Sequence, residues 1–199
     1  LNSQNERSPI IAKTINVHGA IEWTHENGMV EVITENNKPL TGGTLETMTG
    51  DSTVTMQFTD GSIVTLDGLS LITISEQEQK ILRLKRGNLS ADVQPQPSSK
   101  PMMVFTEAAE LRVVGTQFNV KTRDESTKLT VNEGEVLLKR TTDGESVNVV
   151  PHHQVVASLR DTSQLRSVQR ADQIHRWQSD LQMEASHGQW IPSLMELGN

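Results

Sequence analysis

The chain has 199 residues, a formal net charge of −7, 34% hydrophobic residues and no cysteine. That length accommodates one generous domain, or one domain with a short appendage. The absence of cysteine excludes a disulfide scaffold, thiolate metal sites and a cysteine nucleophile, while an acidic balance without a dense basic face excludes nucleic acid as a partner.

Residues 1–9 (LNSQNERSP) are polar, end in proline and read as a lead-in segment. From Ile10 the pattern changes to short runs rich in Val, Ile, Leu and Thr, separated by turn residues; with Phe and Trp at three each and Tyr absent, this suits pleated sheets. GAIEW and GMVEVITE flank a hairpin-like break at His25 to Gly28, and PLTGGTLETM follows. In TVTMQFTDGSIVTL, Val54, Met56 and Phe58 alternate with Thr55 and Gln57. Asp60-Gly61 then supplies a hairpin turn before Ile63 to Leu66. Leu71 to Ser75, Ile81 to Lys85 and Leu89 to Val93 predict three further strands.

The proline-rich stretch 94–101 (QPQPSSKP) reads as a crossover, because its three prolines cannot donate ladder hydrogen bonds. The β pattern resumes at Met103. Further strands are predicted near Leu111 to Val114, Gln117 to Thr122, Lys128 to Asn132, Val136 to Arg140, Val147 to Val150 and Gln154 to Ala157. LKRGNLSADV and VNEGEVLLKR share the form strand, Gly-containing turn, return strand. They suggest two similar β units, one on each side of the crossover. A spacing of about ten residues between turns fits a sandwich or an irregular β-solenoid of mostly antiparallel strands, each burying one face. Ile174, Trp177 and Leu181 fall at helical spacing, so Ala171 to Met183 predicts one C-terminal amphipathic helix. The expected organisation is a lead-in at 1–9, an all-β domain at 10–165, and a helix and tail at 166–199 at a junction to a further domain.

TEAAELRVVGTQFNV, at Thr106 to Val120, resembles the signature segment of the FecR family, in which a Gly-Thr-x-Phe-x-Val element closes a strand pair. KPLTGGTLETM, QFTDGSIVTLDGLSLITI, LRLKRGNLSADV and LTVNEGEVLLKR fall in the matching order, and the similarity covers roughly residues 19 to 160. Where the family often has a Gly-containing turn, this chain has Pro151-His152-His153. The resemblance implies the periplasmic portion of a single-pass bacterial regulator that passes an envelope signal to a sigma factor. It also implies a protein partner, an outer-membrane transducer or another envelope protein. Since the chain starts at Leu1 and no apolar run approaches the ~20 residues of a membrane span, any span is expected outside it. The alternative is a structural or carbohydrate-associated surface module within a larger multidomain protein. Within the signature, Gly115, Thr116 and Phe118 read as fold-determining, with Phe118 and Val120 on one face and Gln117 and Asn119 on the other.

The search for chemistry returns no catalytic, cofactor or metal residues, and the chain is not expected to be an enzyme. Gly50-Asp51-Ser52 has the form of a short esterase element, but it lies in a β context with no partnered base. The histidines are His18, His25, His152, His153, His175 and His187; the adjacent pair would point to opposite strand faces, unlike metal ligands. Asp51, Asp60 and Asp67 sit in turns, where Asp accepts local backbone hydrogen bonds, and no calcium loop surrounds them. Arg83, Lys85 and Arg86 read as charges on a solvated strand face. Asn88-Leu89-Ser90 is a chance glycosylation sequon. Trp23, Trp177 and Trp190 are the candidates for partner or sugar contact if exposed.

Overall fold

Alternating apolar and polar residues can bury one side of an extended chain, and the Val-, Ile- and Thr-rich runs become strands in the computed structural model, which describes residues 9–170. The strands form two sheets. The first has the order β4 (Pro39–Leu40), β1 (Ala12–His18), β6 (Thr53–Phe58), β7 (Ile63–Leu66), β9 (Lys80–Asp92), β12 (Gln117–Arg123), β13 (Ser126–Glu133), β16 (His153–Ser158) and β17 (Val168–Gln169). The second runs β3 (Val30–Ile33), β2 (Ile21–Thr24), β5 (Gly43–Thr47), β8 (Leu71–Glu76), β9 again, β10 (Met102–Phe105), β11 (Ala109–Val113), β14 (Val136–Arg140) and β15 (Ser146–Val149). Neighbours are antiparallel except β9 and β10, which are parallel.

The inward faces of both sheets share one core. Val54, Met56 and Phe58 come from the first sheet; Ile72, Ile74, Leu82 and Leu84 come from the second. Each such side chain contributes about 1.5–3 kcal/mol on burial. The all-β expectation is met, and the arrangement joins its two variants. The chain places a hairpin in one sheet, turns a corner, and places the next in the other, so a sandwich is built by solenoid-like progression.

Strand β9 corrects the sequence reading. The runs expected as separate strands, Ile81 to Lys85 and Leu89 to Val93, are one continuous strand that changes sheets. Its first half pairs with β8 and β10, and residues 87–92 pair with β7 and β12. The crossing lies at Gly87, whose φ is +96°. A register shift opposite Leu71 and Ile72 places Lys85 in a bulge. The buried set therefore moves from Leu82 and Leu84 to Leu89 and Ala91, a change of parity. LKRGNLSADV is thus a corner, not a hairpin. VNEGEVLLKR is another: β13 and β14 lie in different sheets, joined at Gly134 (φ +75°). A Cβ there would stand 2.5 Å from the Gly115 carbonyl oxygen.

Residues 93–101 lead from the end of β9 in the first sheet to β10 in the second. Val93 and Thr116 exchange backbone hydrogen bonds of 3.0 and 3.1 Å, and Gln96 N–H donates to Val114 C=O. These bonds tie the crossover to the signature corner. The expected helix at Ala171 to Met183 lies outside the described residues.

Candidate functional site: corners, latches and an open edge

The family-like signature occupies a corner between the sheets. Gly115 takes φ +141°, Thr116 is buried, and its hydroxyl donates to Glu135 C=O at 3.1 Å across the next corner. Phe118 and Val120 point into the core while Gln117 and Asn119 face outward, as expected. Two other corners use the same pairing of a buried hydroxyl beneath a glycine. Ser52 lies under Gly19 and accepts from Ala20 N–H at 3.0 Å; Ser70 lies under Gly87 and accepts from Asn88 N–H at 3.0 Å. Ser52 also bonds the Thr49 hydroxyl at 2.5 Å, so its oxygen is held by the turn.

The acidic candidates are not brought together. Asp60 closes the β6–β7 hairpin and accepts from Ser62 N–H, Gln96 Nε2 and the buried Lys80 ammonium. Burial raises its pKa, but the Ser62 N–H, Lys80, Gln96 and Ser62 hydroxyl outweigh that and hold it below the ordinary value. Asp51 bonds the Thr49 hydroxyl in a different corner. Asp67, by contrast, has its pKa raised by burial, which the charge of Lys121 only partly offsets. No group of three or more metal-ligating side chains occurs among the described residues.

His152 forms the turn before β16 with φ +63°, and His153 Nδ1 lies 2.9 Å from Pro151 C=O. Trp23 is buried; its Nε1 donates to Gly42 C=O at 2.8 Å and its ring stacks on His25 at 3.6 Å. It therefore belongs to the core, because an inward position on β2 leaves it no solvent face. Arg83 lies 4.6 Å over the Phe105 ring, and Arg86 pairs with Glu46, both on the outer face of the second sheet. Asn88 follows the Gly87 crossing, with its side chain half-buried. His175, His187, Trp177 and Trp190 lie outside the described residues.

Two polar latches close the sides of the sandwich. On one side Thr14 holds the segment 34–38: its hydroxyl donates to Glu35 C=O and accepts from Lys38 N–H, both at 3.0 Å. On the other, the buried Arg140 guanidinium pairs with Asp143 and Glu145 and donates to Asp161 and Ser163 C=O at 2.8 and 2.9 Å. Glu145 in turn accepts from Leu165 N–H, which seats Leu165 in the core. Sequence reasoning missed Arg140; the available signal was the acidic hairpin turn that follows it.

Sheet edges differ in protection. β4 carries Pro39 and spans two residues, β17 spans two residues, and β15 is flanked by the Arg140-held strap. Among the described residues β3 pairs with β2 alone, and its Val30 and Val32 are 57% and 59% exposed.

Residues 44–137 match the family model described as FecR protein, a stretch running from β5 into β14 and centred on the shared strand β9. This stretch is a FecR-family domain. Two crystal structures of a proposed anti-sigma factor from Parabacteroides distasonis resemble the chain at a TM-score of 0.53 each, with 18% and 19% identity. Each match covers 62% of this chain and 58% of that one, so the likeness spans little more than half the length of those structures and speaks to the fold. No curated protein matches the chain. The FecR signature thus coincides with the corner at Gly115 and Thr116, where the crossover from β9 and the turn into β14 meet.

Proposed function

We propose that the chain is the envelope-side, non-catalytic part of a sigma-factor regulator, acting through protein–protein contacts outside the cytoplasm. The observation that carries this reading is the FecR-family match laid over the centre of the two-sheet core. A fold-level likeness to a proposed anti-sigma factor points the same way. The polar groups that could have suggested catalysis are engaged in holding corners and latches: Ser52, Ser70, Thr116 and Arg140 each bond backbone atoms of a neighbouring segment. An outer-membrane transducer or another envelope protein is the proposed partner, with the junction to a further segment in 166–199. The reading of a carbohydrate-associated module would use an exposed ring, and Trp23 is enclosed.

The test is transcriptional. In the source bacterium, in-frame removal of residues 12–158 from the complete gene should change the transcripts of one sigma-dependent set of promoters. An unchanged profile across all such sets, under conditions that load or starve outer-membrane transport, would overturn the proposal.

A further inference from the structure

We propose that the strap 159–165, together with β17, is a releasable element: it leaves the sandwich while both sheets stay folded, and Arg140 sets how often it does so. The inference rests on the packing alone and goes beyond the regulator reading. Residues 159–167 run between β16 and β17 without regular structure, and Leu165 is the one buried side chain between Ser158 and Arg170. Among the described residues, the hydrogen bonds from 161–165 to the rest of the domain run through two side chains. Arg140 Nη1 donates to the Asp161 and Ser163 carbonyls, and Glu145 Oε1 accepts from Leu165 N–H at 3.1 Å. At the start of the strap, Leu159 N–H donates to Glu125 C=O at 3.0 Å, and the exposed Arg160 pairs with Glu125. At its end, β17 adds two pairs with His153 and Gln154, and both of its residues are exposed.

The Thr14 side of the sandwich is held differently. There the backbone itself makes the ties: Thr14 N–H to Lys38 C=O at 3.0 Å, Asn37 N–H to Thr14 C=O at 2.7 Å, and Ile11 N–H to Leu40 C=O at 2.9 Å. Few buried apolar contacts and side-chain tethers mark a segment that opens below the global unfolding transition. Arg140 makes the strap a two-state element. Its side chain takes an inward position on β14, after Val136 and Leu138, and is buried. A buried charge whose partners all lay in the strap would forbid opening. Here Asp143 and Glu145 belong to Arg140's own hairpin, so the guanidinium keeps both carboxylates when the strap leaves. Release frees residues 159–170, which reach roughly 40 Å when extended. The device therefore regulates the reach of the chain beyond β16.

The chain has no cysteine, so a single introduced thiol reports opening. Leu165→Cys and, on the Thr14 side, Leu40→Cys replace buried leucines one at a time in the whole 199-residue chain. Their reaction with Ellman's reagent is followed at guanidinium concentrations below the unfolding transition. The Leu165→Cys thiol is expected to react at least about 100-fold faster than the Leu40→Cys thiol, at a rate nearly independent of guanidinium, because opening the strap exposes little surface. The Leu40→Cys rate should climb steeply with guanidinium. Adding Arg140→Lys, which keeps the charge and loses the planar fork, should speed the Leu165→Cys reaction at least about tenfold and leave its dependence on guanidinium shallow. Equal slopes for the two thiols, or a Leu165→Cys rate unmoved by Arg140→Lys, would overturn the inference. Hydrogen exchange of the unaltered chain reads the same event without a substitution. The Leu165 amide should exchange by the shallow route and the Leu129 and Val131 amides of β13 by the steep one, and a steep dependence at Leu165 would likewise overturn it. The transcriptional test above is independent: a strap that opens in a protein without effect on any sigma-dependent set leaves this inference standing and sinks the regulator.

Discussion

Gly87→Ala should destabilise the fold far more than a solvent-facing glycine at a similar backbone angle. At φ +96°, an L-residue carries about 1–2 kcal/mol of backbone strain. The added Cβ would also stand 2.5 Å from Ser70 Cα, a backbone atom that cannot rotate away. Overpacking of this kind costs about 1–3 kcal/mol, so the sum is about 2–5 kcal/mol. For a domain of this size that corresponds to a Tm lowered by about 4–20 °C. Gly28 is the control: its φ is +84°, with nothing within 4 Å of an added methyl, so Gly28→Ala should show the backbone strain alone. Guanidinium and thermal unfolding of both variants, followed by circular dichroism, measure the difference. Removing the Ser70 hydroxyl should not rescue Gly87→Ala, since the clash with Cα remains. A Gly87→Ala loss no larger than that of Gly28→Ala would refute the reasoning that β9 changes sheets through a close approach only glycine permits.

Phe118→Ala, deep in the core beside the signature corner, should cost about 3–5 kcal/mol in the same unfolding assay. Arg140→Met should free the 159–165 strap: hydrogen exchange there should quicken while amides of β6 and β12 stay protected, and uniform loosening would contradict the latch. Asp67→Asn should stabilise the protein at neutral pH. Its raised folded pKa means the carboxyl's contribution is present below the ordinary carboxylate range and is lost as pH rises through the folded value. The gap between variant and wild type should therefore open from about pH 4 to pH 7, and a gap that closes over that range would reverse the sign of the argument.

Much of the fold was legible because alternation is a direct consequence of burying one face. Val54, Met56 and Phe58 announce β6, and Asp60-Gly61 announces its hairpin. What was not legible is which sheet a strand joins. A glycine between two alternating runs reads as a hairpin whether the chain returns or turns a corner; Gly87 and Gly134 do the latter. The parity change from Leu82 and Leu84 to Leu89 and Ala91 was the available clue, since a hairpin has no need to shift its buried set. Strand β1 hid its pattern for a related reason, a register shift between Thr14 and Asn16. Trp23 offered no signal of its direction, because indole serves core and interface alike. That β3 is an edge among the described residues could not be read at all, for an edge is defined by which strands are not beside it, a property of pairing and not of local sequence.

The most direct test of the central claim is sigma-dependent transcription in cells carrying the complete gene with Gly87→Val, which should break the sandwich at its shared strand, beside Val156→Thr on an exposed outer face as the control. The account predicts that one sigma-dependent promoter set responds to Gly87→Val and is unmoved by Val156→Thr. A transcript profile indifferent to both, with the Gly87→Val protein shown to be unfolded, would contradict a regulatory role for this domain.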